Sequence, residues 1–582
     1  MRAPQASHQL LPLPVFRPSR VSQRDRSRNR ANHQRHRRPL TPITGARRFF
    51  SHPGLLSPVR AMRRFSRALP FQRQELALTS GASTATTAAL PLDAPASGSS
   101  ARLRIPEISA VAPKSSAPAT EAPLHDDLPE AELRRKVWKL SAPAIGEQLL
   151  GLGVSTSDTF LSGHLSAYAS ERLGYDQATA VAAVGAAGMV NWIILTAFFG
   201  VNTGVTALVA RATGARDKRL AATTAAQGAL LGAIAGLIMV AISVPLAGLI
   251  TAAMGVGGQV AELTAQFIRI SSIGLPATGL ASACTAAMRG AGDTRRPVNV
   301  MLVVNGVNIV ASWTMLNGMP ALGIQPVGVI GSAIGAASGW ALGSLLAVFL
   351  LTRSHPMSPR VARADFKPDV DVAKRALRIG LPSAGELVIF QAGALIFNHQ
   401  VVSLGSVPYA ASVTINTVNS LGTLPAIGFG VAATSLVGQA LGANSPKLAR
   451  RAALAALWPC TALMVLIGLM CAFFPQIMQG LFVADPQVLQ AGDMGQRLSL
   501  LTLPVSGATF IFNGALRGAG DTKFPMVVRA GGTWGLRVPI TAFLLPIFGL
   551  TGACFAMALD FTGQMGLAFW RFQSGTWRKA SV

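Results

Sequence analysis

Glu147, Asp158 and Glu386 place carboxyl groups inside long apolar stretches of this chain. An ionisable group within a membrane span is costly to bury, so each of the three is a candidate functional residue. A carboxyl group in a low-dielectric cavity favours its neutral form and can exchange a proton near neutral pH. It can also bind Na⁺ or attract a cationic substrate. The competing interpretation is a neutral acid that only forms hydrogen bonds between helices.

Other polar residues occupy the same kind of apolar stretch. Some are expected to join helices by hydrogen bonds, and others to line a cavity. Arg537 and Asp560, in the last two stretches, are candidates for an ion pair. The sequence contains no Walker A motif, hydrolase triad or metal-ligand spacing, so we expect neither an enzyme nor a bound cofactor or metal. With Glu386, we assign these polar residues to a substrate cleft: Asn191, Asn202, Gln391, Asn416 and Asn419.

A six-residue motif occurs twice in the chain. Arg-Gly-Ala-Gly-Asp-Thr spans residues 289–294 and again residues 517–522, an offset of 228 (517 − 289). Farther upstream, Glu147 matches Glu386 at an offset of 239 (386 − 147). These matches predict one ancestral half used twice in the same order, as in transporters built from parallel repeats.

The composition is that of a membrane protein. Half of the 582 residues are hydrophobic and 13% are charged, whereas soluble domains average about 25% charged residues. The 58 glycines suit close packing of helices in lipid. Four cysteines lie in apolar runs and are predicted to be small core residues: Cys284, Cys460, Cys471 and Cys554.

Much of the net charge of +27 lies in the first 75 residues. Residues 1–105 are rich in Arg, Ser, Ala and Pro, and Asp25, Glu75 and Asp93 are the only carboxylates before residue 100. This composition predicts an organellar transit peptide, with the plastid favoured and the mitochondrion as the alternative. A basic arm for nucleic acid is the competing interpretation. Residues 106–132 are predicted to be a flexible linker.

The rest of the chain is predicted to be all α-helical, with twelve transmembrane helices in two pseudo-symmetric six-helix lobes. The lobes comprise residues 133–354 and 373–575, joined by an interlobe loop at 355–372. Basic residues follow alternate helices, which predicts both termini on the positive, inner face of the membrane. We place the twelve helices at 137–163, 178–210, 219–250, 259–288, 296–317, 327–352, 373–403, 408–440, 447–475, 487–516, 524–547 and 551–572.

Several motifs resemble those of the multidrug and toxic compound extrusion (MATE) transporters. The resemblance covers about residues 133–573 and depends on residues 143–150, 158–165 and 210–215 and on both Arg-Gly-Ala-Gly-Asp-Thr loops. The motif that begins at Asp158, with the organellar leader, is most similar to the DinF-like branch, which includes plastid members.

The resemblance implies two six-helix lobes around a central cleft and export of organic compounds in exchange for H⁺ or Na⁺. It also implies cation coupling at Asp158, with Asn308 associated with that site. The sequence departs from the family at two positions. Ser312 stands where many relatives carry an aspartate, and Phe390 stands where other branches carry a glutamate. Glu147 as a second coupling carboxylate is our own inference.

The favoured function is a secondary antiporter that moves a small organic substrate across an organelle membrane, as a monomer and without nucleic acid. One alternative is a lipid-linked saccharide flippase of the same superfamily, which would need a strongly basic cleft. Another is a membrane receptor or scaffold without transport activity, against which the buried acids argue.

Overall fold

The computed structural model describes residues 126–320, 323–353, 355 and 359–580. The predicted transit peptide at 1–105 and most of the predicted linker lie outside the described residues. The first helix begins at Glu130, a few residues before the predicted start of the N-terminal lobe. All four cysteines are buried as free thiols, as predicted for small core residues.

The N-terminal lobe contains eight helices. A short helix on the face opposite the basic loops, α2, follows the first long helix. The helices are α1 (Glu130–Ser162), α2 (Ala167–Leu173), α3 (Gln177–Gly214), α4 (Lys218–Ala253), α5 (Gly258–Ile273), α6 (Leu275–Ala291), α7 (Arg295–Asn317) and α8 (Val329–Thr352).

The C-terminal lobe repeats this plan after a single 3₁₀ turn at Arg363–Phe366. Its helices are α9 (Val370–Val402), α10 (Ser406–Gly442), α11 (Pro446–Phe473), α12 (Pro475–Gly480), α13 (Pro486–Arg497), α14 (Ser499–Gly518), α15 (Lys523–Ala530) and α16 (Val538–Ser574). A π-helical turn at Gly531–Arg537 joins α15 to α16.

The predicted all-α fold with twelve transmembrane helices is confirmed. Within the described residues, nine helices are long and apolar enough to cross a membrane, and the α5–α6 pair makes a tenth span. One of the nine is the 52-residue stretch Lys523–Ser574, which contains two spans because Gly549 has a non-helical backbone. The twelfth is α1, which is 33 residues long but less apolar because it carries Glu147 and Asp158.

Two spans differ from the continuous helices that the sequence predicts. The helix predicted at 259–288 bends by 51° between α5 and α6, where Gly274 precedes Pro276. The helix predicted at 487–516 is divided into α13 and α14. Gly549 separates the last two spans where the sequence predicts a break, between 547 and 551. Its φ of 56° is a left-handed conformation that glycine adopts without a Cβ clash. The pattern of apolar residues does not indicate where the helices predicted at 259–288 and 487–516 break.

The two lobes meet along the ends of the helices that carry the basic loops, which we call the basic face: residues 211–219, 289–296, 353–367, 447–451 and 517–523. There α3 packs against α9 and α10, and α1 packs against α10. Gly204 lies against the carbonyl group of Ala376, and Gly214 lies against that of Gln439. The absence of a Cβ lets these backbones approach closely.

Hydrogen bonds join each Arg-Gly-Ala-Gly-Asp-Thr loop to the opposite lobe. Arg211 of α3 donates to the carbonyl oxygen of Ala519 at 2.9 Å. Gln439 of α10 donates to the carbonyl oxygen of Gly290 at 2.9 Å. Ser435, also on α10, donates to that of Arg289 at 2.6 Å. In the described part of the chain, the hydrogen bonds between lobes all lie at the basic face.

Some glycines of α1 and α3 lie outside this interface. Gly146 and Gly151 of α1 and Gly185 and Gly188 of α3 have no neighbouring atom within 4 Å of the position that a Cβ would occupy. Because the interlobe hydrogen bonds of the described residues lie at the basic face, the structure is closed there. Under the positive-inside rule, this is an outward-facing arrangement.

Candidate functional site

Helix α1 carries Asp158 near its C-terminal end, where it packs against α7 and α8 of the same lobe. The Asp158 side chain is buried among these helices, and only 5% of its surface is exposed. Because Asn308 and Ser312 are separated by one turn of α7, they lie on the same face of that helix. Both are fully buried.

These side chains form a connected polar cluster. Asp158 Oδ1 accepts hydrogen bonds from Asn308 Nδ2 at 3.0 Å and from Ser312 Oγ at 3.3 Å. Ser157 Oγ donates to Asn308 Oδ1 at 3.2 Å. Ser332 of α8 adds a carbonyl oxygen 3.4 Å from Ser312 Oγ, and its own hydroxyl group is buried without a partner. We call these five residues the Asp158 cluster.

The donor set of the Asp158 cluster favours a particular kind of ligand. Its polar atoms are one carboxyl group surrounded by neutral hydroxyl, amide and carbonyl oxygens. Hard cations prefer oxygen ligands, and a single negative charge is balanced by a proton or a monovalent cation. Among the described residues, no group of three or more His, Cys, Asp or Glu side chains is placed to hold a metal ion.

Glu147 is not part of the Asp158 cluster. It lies 11 residues earlier on α1, which corresponds to about 16 Å along the helix axis. Its carboxylate forms a buried ion pair with Arg289, the first residue of the Arg-Gly-Ala-Gly-Asp-Thr loop. The structure thus places Glu147 at the junction of α1 and α6 and not beside Asp158.

Glu386 makes the equivalent contact in the C-terminal lobe. Its two carboxylate oxygens accept from Arg517 Nη2 at 2.7 and 2.8 Å, and Glu386 is fully buried. The two glutamates are repeat partners, and so are the two arginines. Neither ion pair was predicted from the sequence, although the matching offsets of the two glutamates and the two arginines could have indicated both.

A larger charged network continues from Glu386 into the C-terminal lobe. Arg529 Nε lies 3.7 Å from Glu386 Oε1. Arg537 Nη2 lies 2.7 Å from Asp560 Oδ2, which is the ion pair considered from the sequence. We call Arg517, Arg529 and Arg537, with Glu386 and Asp560, the C-lobe arginine cluster. Arg529 was not singled out from the sequence, since one arginine in a short span has no periodic signal.

The remaining predicted cleft residues are half-buried: Asn191, Asn202, Gln391, Asn416 and Asn419. Asn191 and Asn419 are repeat partners on α3 and α10, at the offset of 228 (419 − 191). Asn202 and Asn419 each bury a side-chain oxygen without a hydrogen-bond partner. Such oxygens remain available to another polar group.

Two six-helix lobes, a cleft closed at one face and a buried carboxylate cluster in one lobe define a multi-pass membrane transporter. Residues 143–314 and 382–543 match the sequence profile of the MatE family. These two segments, one in each lobe, cover more than half of the chain. The chain therefore belongs to the MatE family, the MATE transporters.

Curated relatives and solved structures agree with this assignment. A probable multidrug resistance protein NorM from Thermotoga maritima is 27% identical over 459 residues, which is 78% of this chain and 94% of the relative. A probable multidrug resistance protein YoeA from Bacillus subtilis is 27% identical over 64% of this chain and 80% of the relative.

Two solved structures share the fold. One is described as the outward-facing conformation of a multidrug resistance MATE family transporter; it has a TM-score of 0.67 at 21% identity and covers 76% of this chain and 95% of its own. The other is a MOP superfamily transporter from Pyrococcus furiosus, described as having a binding pocket of reverse polarity. Its TM-score is 0.69 at 20% identity, over 77% of this chain and 97% of its own.

Proposed function

We propose that this chain is a secondary antiporter that exports an organic compound across an organelle membrane in exchange for H⁺ or Na⁺. The observation that carries the proposal is the Asp158 cluster. It holds a single buried acid that has no basic partner among the described residues, in a lobe whose other acid within α1, Glu147, is already neutralised by Arg289. The relatives described as multidrug resistance proteins support an organic substrate.

The cluster supplies a physical basis for coupling. Burial of an ionised carboxylate without a partner, in a site that excludes water, costs several kcal/mol of free energy. Binding of a proton or Na⁺ at Asp158 Oδ1 removes that charge, and Asn308 and Ser312 keep the carboxyl group oriented toward α7. A ligand shifts a conformational equilibrium only through its different affinities for the two states. Loading of the cluster would therefore favour one packing of α1 against α7 over the other.

The closed basic face is one end state of the transport cycle under this proposal. Reopening it requires the interlobe hydrogen bonds of Arg211, Ser435 and Gln439 to break, while the contacts within each lobe persist. The substrate would meet the half-buried amides on α3, α9 and α10 inside the cleft. Export from the inner to the outer side follows if the cation-loaded protein returns to the inward-facing state down the cation gradient and the substrate-loaded protein moves to the outward-facing state.

The test is flux through the full-length protein in proteoliposomes. A panel of organic cations, anions and neutral compounds is offered under an imposed pH gradient or an imposed Na⁺ gradient, with empty liposomes as the control. We expect at least one compound to accumulate only when a gradient is present. Flux that equals the empty-liposome rate for every compound under both gradients would contradict the proposal.

A further inference from the structure

The C-lobe arginine cluster has an unequal number of positive and negative groups. Its three guanidinium groups are Arg517, Arg529 and Arg537. Within the part of the chain that the structure describes, their ion pairs involve the carboxylates of Glu386 and Asp560 alone. The charged side chains therefore sum to +1 (3 − 2) inside a lobe. An uncompensated charge buried in a membrane protein is costly and marks a functional position.

Several polar atoms of the cluster are buried without a hydrogen-bond partner. Arg529 and Arg537 are 7% and 3% exposed. The Nε atom of each has no hydrogen-bond partner, and that of Arg529 lies 3.7 Å from Glu386 Oε1 in the ion pair. The hydroxyl groups of Thr533 and Thr541 are also buried and unpartnered. Since these four residues recur at intervals of four, they line one face of the span that contains the π-helical turn.

Aromatic rings cover the cluster on two sides. The Phe390 ring centroid lies 4.8 Å from the guanidinium carbon of Arg529 and 5.4 Å from that of Arg537. Phe390 itself is only half-buried. Phe199 of the opposite lobe lies 5.2 Å from the guanidinium carbon of Arg517. The cluster thus extends from the interior of the lobe to the surface where the lobes meet.

The N-terminal lobe has the opposite imbalance. There Glu147 and Arg289 neutralise each other, and Asp158 remains as an acid with neutral partners only. One lobe therefore offers a site for a cation and the other an excess of hydrogen-bond donors and positive charge. The repeat that produced similar folds has not kept similar charges in the two lobes.

We propose that the C-lobe arginine cluster binds the carboxylate group of an organic anion, which is a substrate of the transport activity proposed above. Arginine forks bind carboxylates through paired, charge-assisted hydrogen bonds. The Nε donor of Arg537 and the hydroxyl groups of Thr533 and Thr541, which lack a hydrogen-bond partner, are the groups that the carboxylate would engage. Phe390 offers its half-buried face to the organic part of the anion. This assignment rests on the proposed transport function for its physiological meaning but not for its binding test.

The binding test compares three probes of one size and different charge. Benzoate, benzamide and benzamidine are each titrated into the purified full-length protein in detergent micelles, and heat is recorded by calorimetry. We expect benzoate to bind with a Kd at least about tenfold lower than that of benzamidine, since an excess positive charge attracts one and repels the other. Equal or tighter binding of benzamidine would overturn the proposal. This comparison uses the wild-type chain alone, so it does not depend on a variant folding.

Two arginine variants locate the binding. Arg529→Gln is expected to raise the Kd for benzoate about tenfold or more, because it removes the excess positive charge of the cluster. Arg353→Gln is the matched control, since Arg353 also lies over a phenylalanine ring, at 4.6 Å from Phe349, but is exposed outside the cluster. It should change the Kd less than about twofold. Equal effects of the two substitutions, in variants of native size-exclusion profile, would show that the cluster is only a structural network.

Uptake measurements separate this proposal from the transport proposal. Proteoliposomes are given terephthalate or its diamidine, two doubly charged probes that cross lipid slowly, under the gradients described above. Gradient-driven uptake of terephthalate supports both proposals. Gradient-driven uptake of the diamidine alone supports antiport and overturns the anion site. Benzoate binding without uptake of any compound in the full panel supports the site and contradicts the transport function.

Discussion

Asp158 is the residue at which the sequence and the geometry converge. Its carboxyl group is buried, oriented by Asn308 and Ser312, and without a basic partner among the contacts of the cluster. Ser312 adds a hydroxyl group and no second acid, so the Asp158 cluster contains one carboxylate. A site with one negative charge is balanced by one proton or one Na⁺. The stoichiometry expected for the proposed exchange is therefore one cation for each turn of the cycle.

Asp158→Asn tests the coupling role, because an amide imitates the neutral carboxyl group at nearly the same volume. The variant should fold and bind substrate, since the hydrogen bonds to α7 can be remade. Gradient-driven accumulation in proteoliposomes should fall to the level of empty liposomes, because the amide cannot load and unload a cation. Glu171→Gln, which removes an exposed acid from α2, is the control and should retain wild-type uptake. Wild-type accumulation by Asp158→Asn would transfer the coupling role to Glu147 or Glu386.

At the scale of helices, the repeated ion pairs explain why the Arg-Gly-Ala-Gly-Asp-Thr loops recur. Arg289 ties the end of α6 to α1 through Glu147, and Arg517 ties the end of α14 to α9 through Glu386. The backbone carbonyls of the same loops accept hydrogen bonds from the opposite lobe. Each loop therefore connects two helices of its own lobe and also forms part of the interface that closes the basic face.

The glycines of α3 set how closely the lobes approach. Gly204→Ala would place a methyl group against the Ala376 carbonyl of α9, and overpacking of this kind costs about 1–3 kcal/mol. We expect the substitution to disfavour closure of the basic face by roughly fivefold or more in population. Spin labels at Arg219 and Lys447, exposed repeat partners in the two lobes, would report it as a shift toward longer distances.

Gly185→Ala is the matched control for that experiment. It adds the same methyl group to the same helix, at a position with no neighbouring atom within 4 Å. Its distance distribution should coincide with that of the wild-type chain. A Gly204→Ala distribution that also coincides would show that the interface yields locally, and that α3 does not control closure.

At the scale of the whole molecule, the two lobes share a fold but carry different charges. Duplication preserved the helix order, the glutamate–arginine pairs and the basic loops. The Asp158 cluster has no acidic counterpart in the C-terminal lobe, and three arginines converge only there. This asymmetry suits an exchanger, since two different ligands need two different sites within one moving scaffold.

The N-terminal leader, residues 1–105, is the part of the chain that bears on subcellular localisation. We propose that residues 1–105 direct the protein to a plastid, on the grounds of their basic, acid-poor composition. A fusion of residues 1–110 to a fluorescent protein should accumulate in plastids of a photosynthetic host. A fusion whose arginines at 24–38 are replaced by glutamine is the control and should stay in the cytosol. A diffuse signal from the unaltered fusion would contradict targeting to an organelle. A mitochondrial signal would identify the mitochondrion, and not the plastid, as the target.

The sequence by itself determined the repeat, the number of membrane spans and the presence of acids such as Asp158 within those spans. These features depend on local composition and on spacing along the chain, since a span needs about 20 apolar residues wherever it packs. The identity of the family follows from the same motifs. The bend at Gly274 was less predictable, because this glycine resembles the many other glycines in the spans.

Only the tertiary structure decided which charged groups meet. Glu147 shares a helix with Asp158 yet pairs with Arg289, and Arg529 lies between Glu386 and Asp560 on two other helices. Such contacts depend on how each helix is rotated and displaced against its neighbours. Packing of many side chains sets those rotations. The sequence of a helix that is apolar on all sides does not show which side faces which neighbour. The closed basic face and the opposite charges of the two lobes are therefore properties of the tertiary packing of the helices.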